Sequence, residues 1–240
     1  MDAMTETKVR ELDLSETTLR AVNSLLQGRS VEGVDPLEAG ESVVIRHARG
    51  AHAVAVGMDD PRRVVIQGSV GYFAAGMNQQ AEVVIEGSAG VGVAENMMSG
   101  IVRVLGNASQ SAGATAHGGL LIIKGDAGAR CGISMKGVDI VVGGSIGHMS
   151  AFMAQAGRLV VRGDAGDALG DSIYEARIYV RGAVKSLGAD CVAKEMRPEH
   201  VAELEELLTA AGFDDDPHEY TRYGSARKLY NFNVDNHSAY

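Results

Sequence analysis

Short hydrophobic segments recur along the chain at a fixed spacing, and each is followed by a glycine. These anchor glycines succeed one another in steps of 19 residues without insertion or deletion, at Gly68, Gly87, Gly106, Gly125, Gly144, Gly163 and Gly182. An earlier unit over residues 43–50 aligns after a step of 21 residues, with His47 in the anchor position. The positions four and two before the anchor are aliphatic in all eight units, and the position just before it is usually polar. This alternation predicts a short β-strand that ends at each anchor.

The regular step predicts how the strands are joined. Each unit presents the same aliphatic face, and stacking the units as parallel coils buries that face against its neighbours. The chain is therefore predicted to be an all-β protein, a right-handed parallel β-helix of about eight coils over residues 43–188, because parallel crossovers are normally right-handed. Glycine at the corners is expected to supply positive φ and to let neighbouring coils approach closely.

The position three before the anchor departs from the expected polar pattern. By alternation it faces outward, yet six of its eight residues are Val or Ile. The column consists of Val44, Val65, Val84, Arg103, Ile122, Val141, Val160 and Tyr179. Eight strands would extend this apolar stripe over about 34 Å. An exposed stripe of that length is an interface or an aggregation liability, so we expect it to be covered.

The N-terminal flank has the pattern of an amphipathic helix. Residues 14–27 place their aliphatic side chains on one face, Asp13 or Ser15 is a suitable N-cap, and Gly28 is a suitable stop.

A second helix is predicted on the C-terminal flank, over residues 198–211. Pro198 suits its first turn and Gly212 its end. Each helix would span only about 20 Å, so we expect one or both to cover part of the stripe and a partner protein to cover the rest. The chain then divides into an N-terminal segment with a helix, the β-helix, and a C-terminal helix with an aromatic tail, over residues 1–42, 43–188 and 189–240.

The tail that follows the second helix is rich in aromatic and basic side chains. Such residues are enriched in interface cores, which makes Tyr223, Arg227, Tyr230 and Phe232 candidate interface residues. Packing of the tail on its own β-helix is an equally good interpretation.

Composition narrows the function classes. Glycine makes up 31 of 240 residues and proline only 4, which excludes collagen, and a hydrophobic content of 45% excludes a disordered linker. A net charge of −9 argues against binding nucleic acid. The two cysteines are far apart, no secretory signal is visible, and no segment is long enough to span a membrane, so a cytoplasmic location is expected.

Motifs for catalysis or cofactor binding are weak. The Gly90-x-Gly92 pattern lacks the third glycine of a dinucleotide fingerprint and lies inside a repeat. Asp126 and Asp164 recur with the coils and are expected to form turns, and Cys131 is expected to be a buried packing residue. Six methionines are expected to fill the coil interior: Met77, Met97, Met98, Met135, Met149 and Met153. We therefore predict no catalytic, cofactor-binding or metal-binding residue on this chain.

The 19-residue coils, the preceding helix and the closing tail over residues 222–232 resemble a known family. They are similar to the GXGXG β-helix domain at the C-terminal end of the large subunit of glutamate synthase. The stand-alone size resembles the free-standing β-helix subunit of glutamate-synthase-like complexes such as N-methylglutamate synthase. The resemblance implies two partners: a glutaminase-type (class II amidotransferase) subunit and an FMN-binding synthase subunit, which would also carry an iron–sulfur cluster.

The preferred interpretation is a non-catalytic structural subunit that positions these two partners. Two alternatives stay open. The domain type also resembles the β-helix subunit of formylmethanofuran dehydrogenase, a redox complex. The second alternative is a stand-alone β-helical enzyme, such as an acyltransferase. The coils of β-helical acyltransferases are built from six-residue repeats and have 18 residues each, whereas the coils here have 19.

Overall fold

The computed structural model describes residues 8–227, and these form eleven strands and two α-helices. The helices are α1 (Leu19–Leu26) and α2 (Pro198–Ala211), and a 3-10 turn covers Pro217–Glu219. The strands are β1 (Val9–Asp13), β2 (Ser42–Arg46), β3 (Arg63–Ile66), β4 (Glu82–Ile85), β5 (Ile101–Val104), β6 (Leu120–Ile123), β7 (Lys136–Val142), β8 (Ala156–Val161), β9 (Arg177–Val180), β10 (Cys191–Lys194) and β11 (Thr221–Ser225).

The strands form one continuous stack, which confirms the predicted parallel β-helix. Strands β1 to β9 are hydrogen-bonded in chain order and run parallel, and β11 then pairs antiparallel with β9 and with β10. Equivalent residues of successive repeats lie directly beside each other, as Val64 does beside Val83. The repeats contribute eight strands joined by about seven turns, slightly fewer than the eight coils expected. The N-terminal segment also supplies β1, a strand that the sequence pattern did not indicate.

The interior of the stack consists of the two aliphatic columns. All sixteen residues at these positions are at most 1% exposed, from Val43 and Ile45 in the first repeat to Ile178 and Val180 in the last. Each coil buries the aliphatic side chains of the next, so the core is continuous from one end of the solenoid to the other.

Helix α1 closes the N-terminal end of this core. Its Val22, Leu25 and Leu26 belong to the same buried cluster as the coil interior. The Asn23 side-chain amide donates to the Ala53 carbonyl at 2.8 Å, and its oxygen accepts from the Ala55 N–H. Gln27 donates to the Val56 carbonyl of the same coil. These side chains satisfy backbone groups at the edge of the first coil, where no earlier coil is present.

The helix is shorter than the predicted 14–27. Asp13 and Ser15, the two residues expected at the N-cap, instead bond to each other in a turn, with the Ser15 N–H 2.7 Å from the Asp13 carboxylate. Thr18 is the N-cap and accepts from the Ala21 N–H. Residue 28 ends the helix as predicted, with φ of +67°.

The anchor glycines do not have the backbone conformation expected of them. Only Gly68 has a positive φ, and the six later anchors are required instead by close contact between coils. A Cβ at Gly87 would lie 2.5 Å from the Ser69 backbone nitrogen, well inside van der Waals contact. Left-handed backbone occurs farther along each coil and is mostly borne by other residue types, such as Ala75 and Ala94.

A ladder of polar side chains runs along one corner of the solenoid. At the position after each anchor, the side chain accepts the backbone N–H of the equivalent residue 19 positions later, at 2.7–3.1 Å. The acceptors are Ser69, Ser88, Asn107, Asp126, Ser145 and Asp164. Asp126 and Asp164 therefore have the structural turn role that the repeat predicted.

Candidate interaction surfaces

The outward apolar stripe is half covered, and α2 is the element that covers it. Ile122, Val141, Val160 and Tyr179 are completely buried beneath the helix. They pack against one face of α2, formed by Leu204, Leu207, Leu208 and Ala211. Fourteen residues of helix span about 21 Å, which matches four strands of the stack. Helix α1 has no part in this cover, because its apolar face closes the end of the core.

Charged side chains at the margin of the stripe hold α2 in register. Glu203 of the helix lies 3.2 Å from the Arg177 guanidinium and accepts a hydrogen bond from the Tyr179 hydroxyl. Arg158 forms two hydrogen bonds with Asp139 and lies 3.9 Å from Glu203. Burial, and then the hydrogen bond to Glu203, raise the pKa of Tyr179, so its hydroxyl stays protonated and donates.

The C-terminus of α2 is fixed by a cation and an aromatic ring. Gly212 is the predicted stop and has φ of +71°. The Lys124 ammonium donates to the Ala211 carbonyl at 2.7 Å, a favourable position at the negative end of the helix dipole. The ring of Phe213 then packs against two cations, Lys124 at 4.0 Å and Arg162 at 4.1 Å from its centroid.

Asp215 is the centre of the last tether. Its carboxylate accepts from Arg162, from Arg181 at 2.7 Å and from the Tyr220 hydroxyl at 2.8 Å, and its side chain is only 6% exposed. The hydrogen bond from Arg162 is the main cause that lowers the Asp215 pKa to about 2, against an opposing effect of burial. One carboxylate thus binds the segment after α2 to two neighbouring coils.

The earlier half of the stripe is covered only in part within residues 8–227. Arg103 donates to the Ala210 carbonyl of α2 at 3.4 Å and Val84 is 8% exposed, so the open part lies at Val44 and Val65. Val44 and Val65 are half-buried, and charged pairs flank them, with Arg46 bonded to Glu11 and Arg63 bonded to Glu82.

A surface formed by aromatic and methionine side chains lies on the same early coils, on the side of the solenoid where residues have positive φ. The rings of His52 and Tyr72 stack with centroids 4.5 Å apart, and Phe73 meets Tyr72 edge to face. Phe73 is 47% exposed, Met77 53% and Met98 48%. Such large apolar side chains in contact with solvent are characteristic of interaction sites.

The predicted interior position of the methionines is correct only in part. Met97 and Met135 are completely buried, but Met77, Met98 and Met153 are exposed. Met77 and Met153 occupy equivalent coil positions with positive φ, nine residues after the anchor, where side chains face outward. Asn96 occupies the same position in another coil. Comparing the residues at this position across the coils would therefore have indicated that it is exposed.

The candidate interface residues of the tail are only partly within the described region. Tyr223 lies in β11, opposite Ala193 and Ile178, and packs against the core, so it belongs to the chain's own fold. Arg227 is ion-paired with Asp190. The other two candidates, residues 230 and 232, lie outside the described residues.

The described side chains that carry chemistry are dispersed. Burial raises the pKa of the Cys131 thiol to about 12 and that of Cys191 to about 11, so neither is a reactive thiolate near neutral pH. Over residues 8–227, no three His, Cys, Asp or Glu side chains come together as a metal site. No helix in this region is long and apolar enough to cross a membrane.

Fold and surfaces together define a parallel β-helix protein with a capped N-terminal end, one self-covered flank and uncovered apolar surface on its early coils. The chain is 61% identical over 230 residues to Protein GlxC of Rhizobium meliloti (strain 1021), which covers 95% of this chain and 99% of that protein. The chain therefore belongs to the GlxC family. No protein-family model matches it, and no solved structure matches it.

Proposed function

We propose that the protein is a non-catalytic structural subunit of a cytoplasmic glutamate-synthase-like complex, of the N-methylglutamate synthase or glutamate synthase type. The proposal joins the resemblance of the repeats to the GXGXG domain with membership of the GlxC family. The observation that carries it is the long in-register solenoid whose early coils leave apolar surface uncovered, at Val44, Val65 and the cluster around Phe73.

The partners proposed are a glutaminase-type subunit and an FMN-binding synthase subunit with an iron–sulfur cluster. This chain's own residues do not fit the cluster. Iron–sulfur clusters are held by several cysteine thiolates, whereas Cys131 and Cys191 are single buried thiols with raised pKa values. The cofactors are therefore assigned to the partner.

Rigidity is the property that suits this chain to the role. Backbone ladders and the corner ladder of side chains connect every coil to the next, so the solenoid holds surfaces at its two ends at a fixed separation. Positioning of reacting groups contributes strongly to rate, and small displacements of catalytic partners are costly. The subunit would thus act on catalysis by holding two active sites in register.

Purification of the tagged chain from its native host tests this function. The expected result is co-purification of two further subunits with an FMN absorption spectrum. Phe73→Asp should weaken recovery of at least one partner, whereas Met153→Asp, a similarly exposed side chain several coils away, should not. A tungsten or molybdenum pterin in place of FMN would support the formylmethanofuran-dehydrogenase-like alternative, and a chain that purifies alone would contradict the proposal.

A further inference from the structure

The C-terminal end of the solenoid differs from all earlier coils in its backbone hydrogen bonding. Within the stack, the N–H groups two, five and nine residues after an anchor point toward the following coil and donate to its carbonyl oxygens. Ala165 donates in this way to Ala183 at 2.9 Å, and Ser172 donates to Ala189 at 2.9 Å. The pattern recurs coil after coil, so every coil provides donors for the one that follows it.

The last coil has the same donors but no following coil. Val184 and Leu187 hold the positions two and five residues after Gly182, and no residue between 8 and 227 accepts a hydrogen bond from their backbone N–H groups. At the ninth position, the Cys191 N–H donates within its own coil, to the Gly188 carbonyl.

The strand side of this coil is closed, because β11 pairs with β9. Near Asp190 the chain also closes the coil, because the Ala226 N–H donates to the Asp190 carbonyl at 2.6 Å and Arg227 is ion-paired with Asp190. The open ladder edge is therefore the side that carries Val184 and Leu187.

The two ends of the solenoid differ in whether their backbone edges are hydrogen-bonded by other parts of the chain. At the N-terminal end, Asn23 and Gln27 of α1 bond to the edge backbone, which blocks head-to-tail stacking of copies into a fibre. At the C-terminal end the edge is flanked by exposed apolar side chains, with Leu187 39% and Val192 37% exposed. An unpaired backbone edge beside exposed apolar side chains is the geometry that β-strand addition uses.

We infer that this open edge binds an extended segment of a partner subunit, whose carbonyl oxygens accept from the backbone N–H groups of Val184 and Leu187. The inference rests on the proposed function, since it needs a partner. An extended segment fits because a helix uses its own carbonyls internally, whereas each earlier coil meets extended backbone at these donors. Lys194 of the adjoining β10 has no ion pair with any of residues 8–227, so an acidic side chain in the bound segment would complement it.

Hydrogen exchange of the full-length chain, free and in the purified complex, tests the inference. The amides of Val184 and Leu187 should exchange quickly in the free chain and at least about tenfold more slowly in the complex. The amides of Ala165 and Ser172 in the preceding coil, which donate to this one, should be protected in both samples.

Three results would overturn the inference. Protection already present in the free chain would mean that the edge is occupied by residues 228–240 or by a second copy, and the dependence of exchange on protein concentration separates these two. A complex that forms with FMN and activity while the edge amides stay unprotected would refute the inference alone. Failure of any partner to co-purify would overturn the proposed function as well.

A pair of leucine variants provides an independent readout. Leu187→Asp places a charge on the edge and should weaken partner binding at least about tenfold. Leu105→Asp is the matched control, because Leu105 is 47% exposed on a different side of the solenoid, and it should bind partners as the unmodified chain does. Equal binding by both variants, with unchanged thermal midpoints, would contradict a partner on the edge.

Discussion

Asp215 makes the sharpest test of how the C-terminal segment is held to the solenoid. Its carboxylate is 6% exposed and accepts from two arginines and the Tyr220 hydroxyl, and its pKa falls from 3.8 to about 2. This lowering corresponds to about 2 kcal/mol of stabilisation by the charged form. Asp215→Asn keeps the shape and one acceptor but removes the charge, so it should lower the free energy of unfolding at pH 7 by about 2 kcal/mol.

The pH dependence of this stability difference tests whether the carboxylate charge is its cause. Because the folded pKa is depressed, the stabilisation is complete above the unfolded pKa near 4 and is lost as the pH falls through about 2. The difference between the unmodified chain and Asp215→Asn should therefore shrink to about half at pH 3. Urea unfolding followed by circular dichroism measures it, with Asp214→Asn, a neighbouring exposed acid, as the control. A difference that is the same at pH 3 and pH 7 would show that the carboxylate charge is not the cause.

Three further variants test the coil contacts, the stripe and the cap. Gly87→Ala should lower the free energy of unfolding by about 1–3 kcal/mol, because its Cβ would meet backbone at 2.5 Å, whereas Gly224→Ala has room and should leave the urea midpoint nearly unchanged. Leu204→Ala should cost about 2–5 kcal/mol in thermal or urea unfolding, since the side chain is completely buried beneath α2, and a loss below about 1 kcal/mol would mean that α2 is not packed on the stripe. Asn23→Ala should speed hydrogen exchange at the Ala55 amide, which donates to the Asn23 side chain at 3.0 Å, and unchanged exchange there would show that α1 does not cap the coil edge.

The sequence predicted the coils well because one periodic constraint repeats eight times. Two aliphatic columns and a glycine step leave only one way to bury identical faces, and residues such as Val64 and Ile66 are buried as that argument requires. Helix α2 was also predictable, because a first-turn proline and a terminal glycine mark both of its ends.

Features without a repeated pattern were not predictable in the same way. The start of α1 was misplaced because Asp13 and Ser15 have capping chemistry in the sequence but use it on each other in a turn. The anchor glycines were expected to supply both positive φ and close approach between coils, and for the six later anchors only the close approach is confirmed. Spacing does not distinguish these two roles, whereas the distance from Gly87 to the preceding coil does.

The candidate surfaces were predictable only as an expectation that something must cover the stripe. The position of α2 on the stripe involves contacts between residues distant in sequence, such as the ion pair between Glu203 and Arg177, and no local pattern encodes these contacts. The Phe73 cluster was missed because neighbouring coils bring His52 and Tyr72 together across 20 residues of sequence.

The most direct test of the account is reconstitution of the complex with and without this chain. The glutaminase-type and FMN-binding subunits are assayed for glutamine-dependent or amine-dependent synthesis of the glutamate product, alone and after addition of the β-helix subunit. If this chain is the structural subunit, the coupled reaction requires it, although each partner keeps its own partial activity. Coupled synthesis at full rate by the two partners alone would contradict this role.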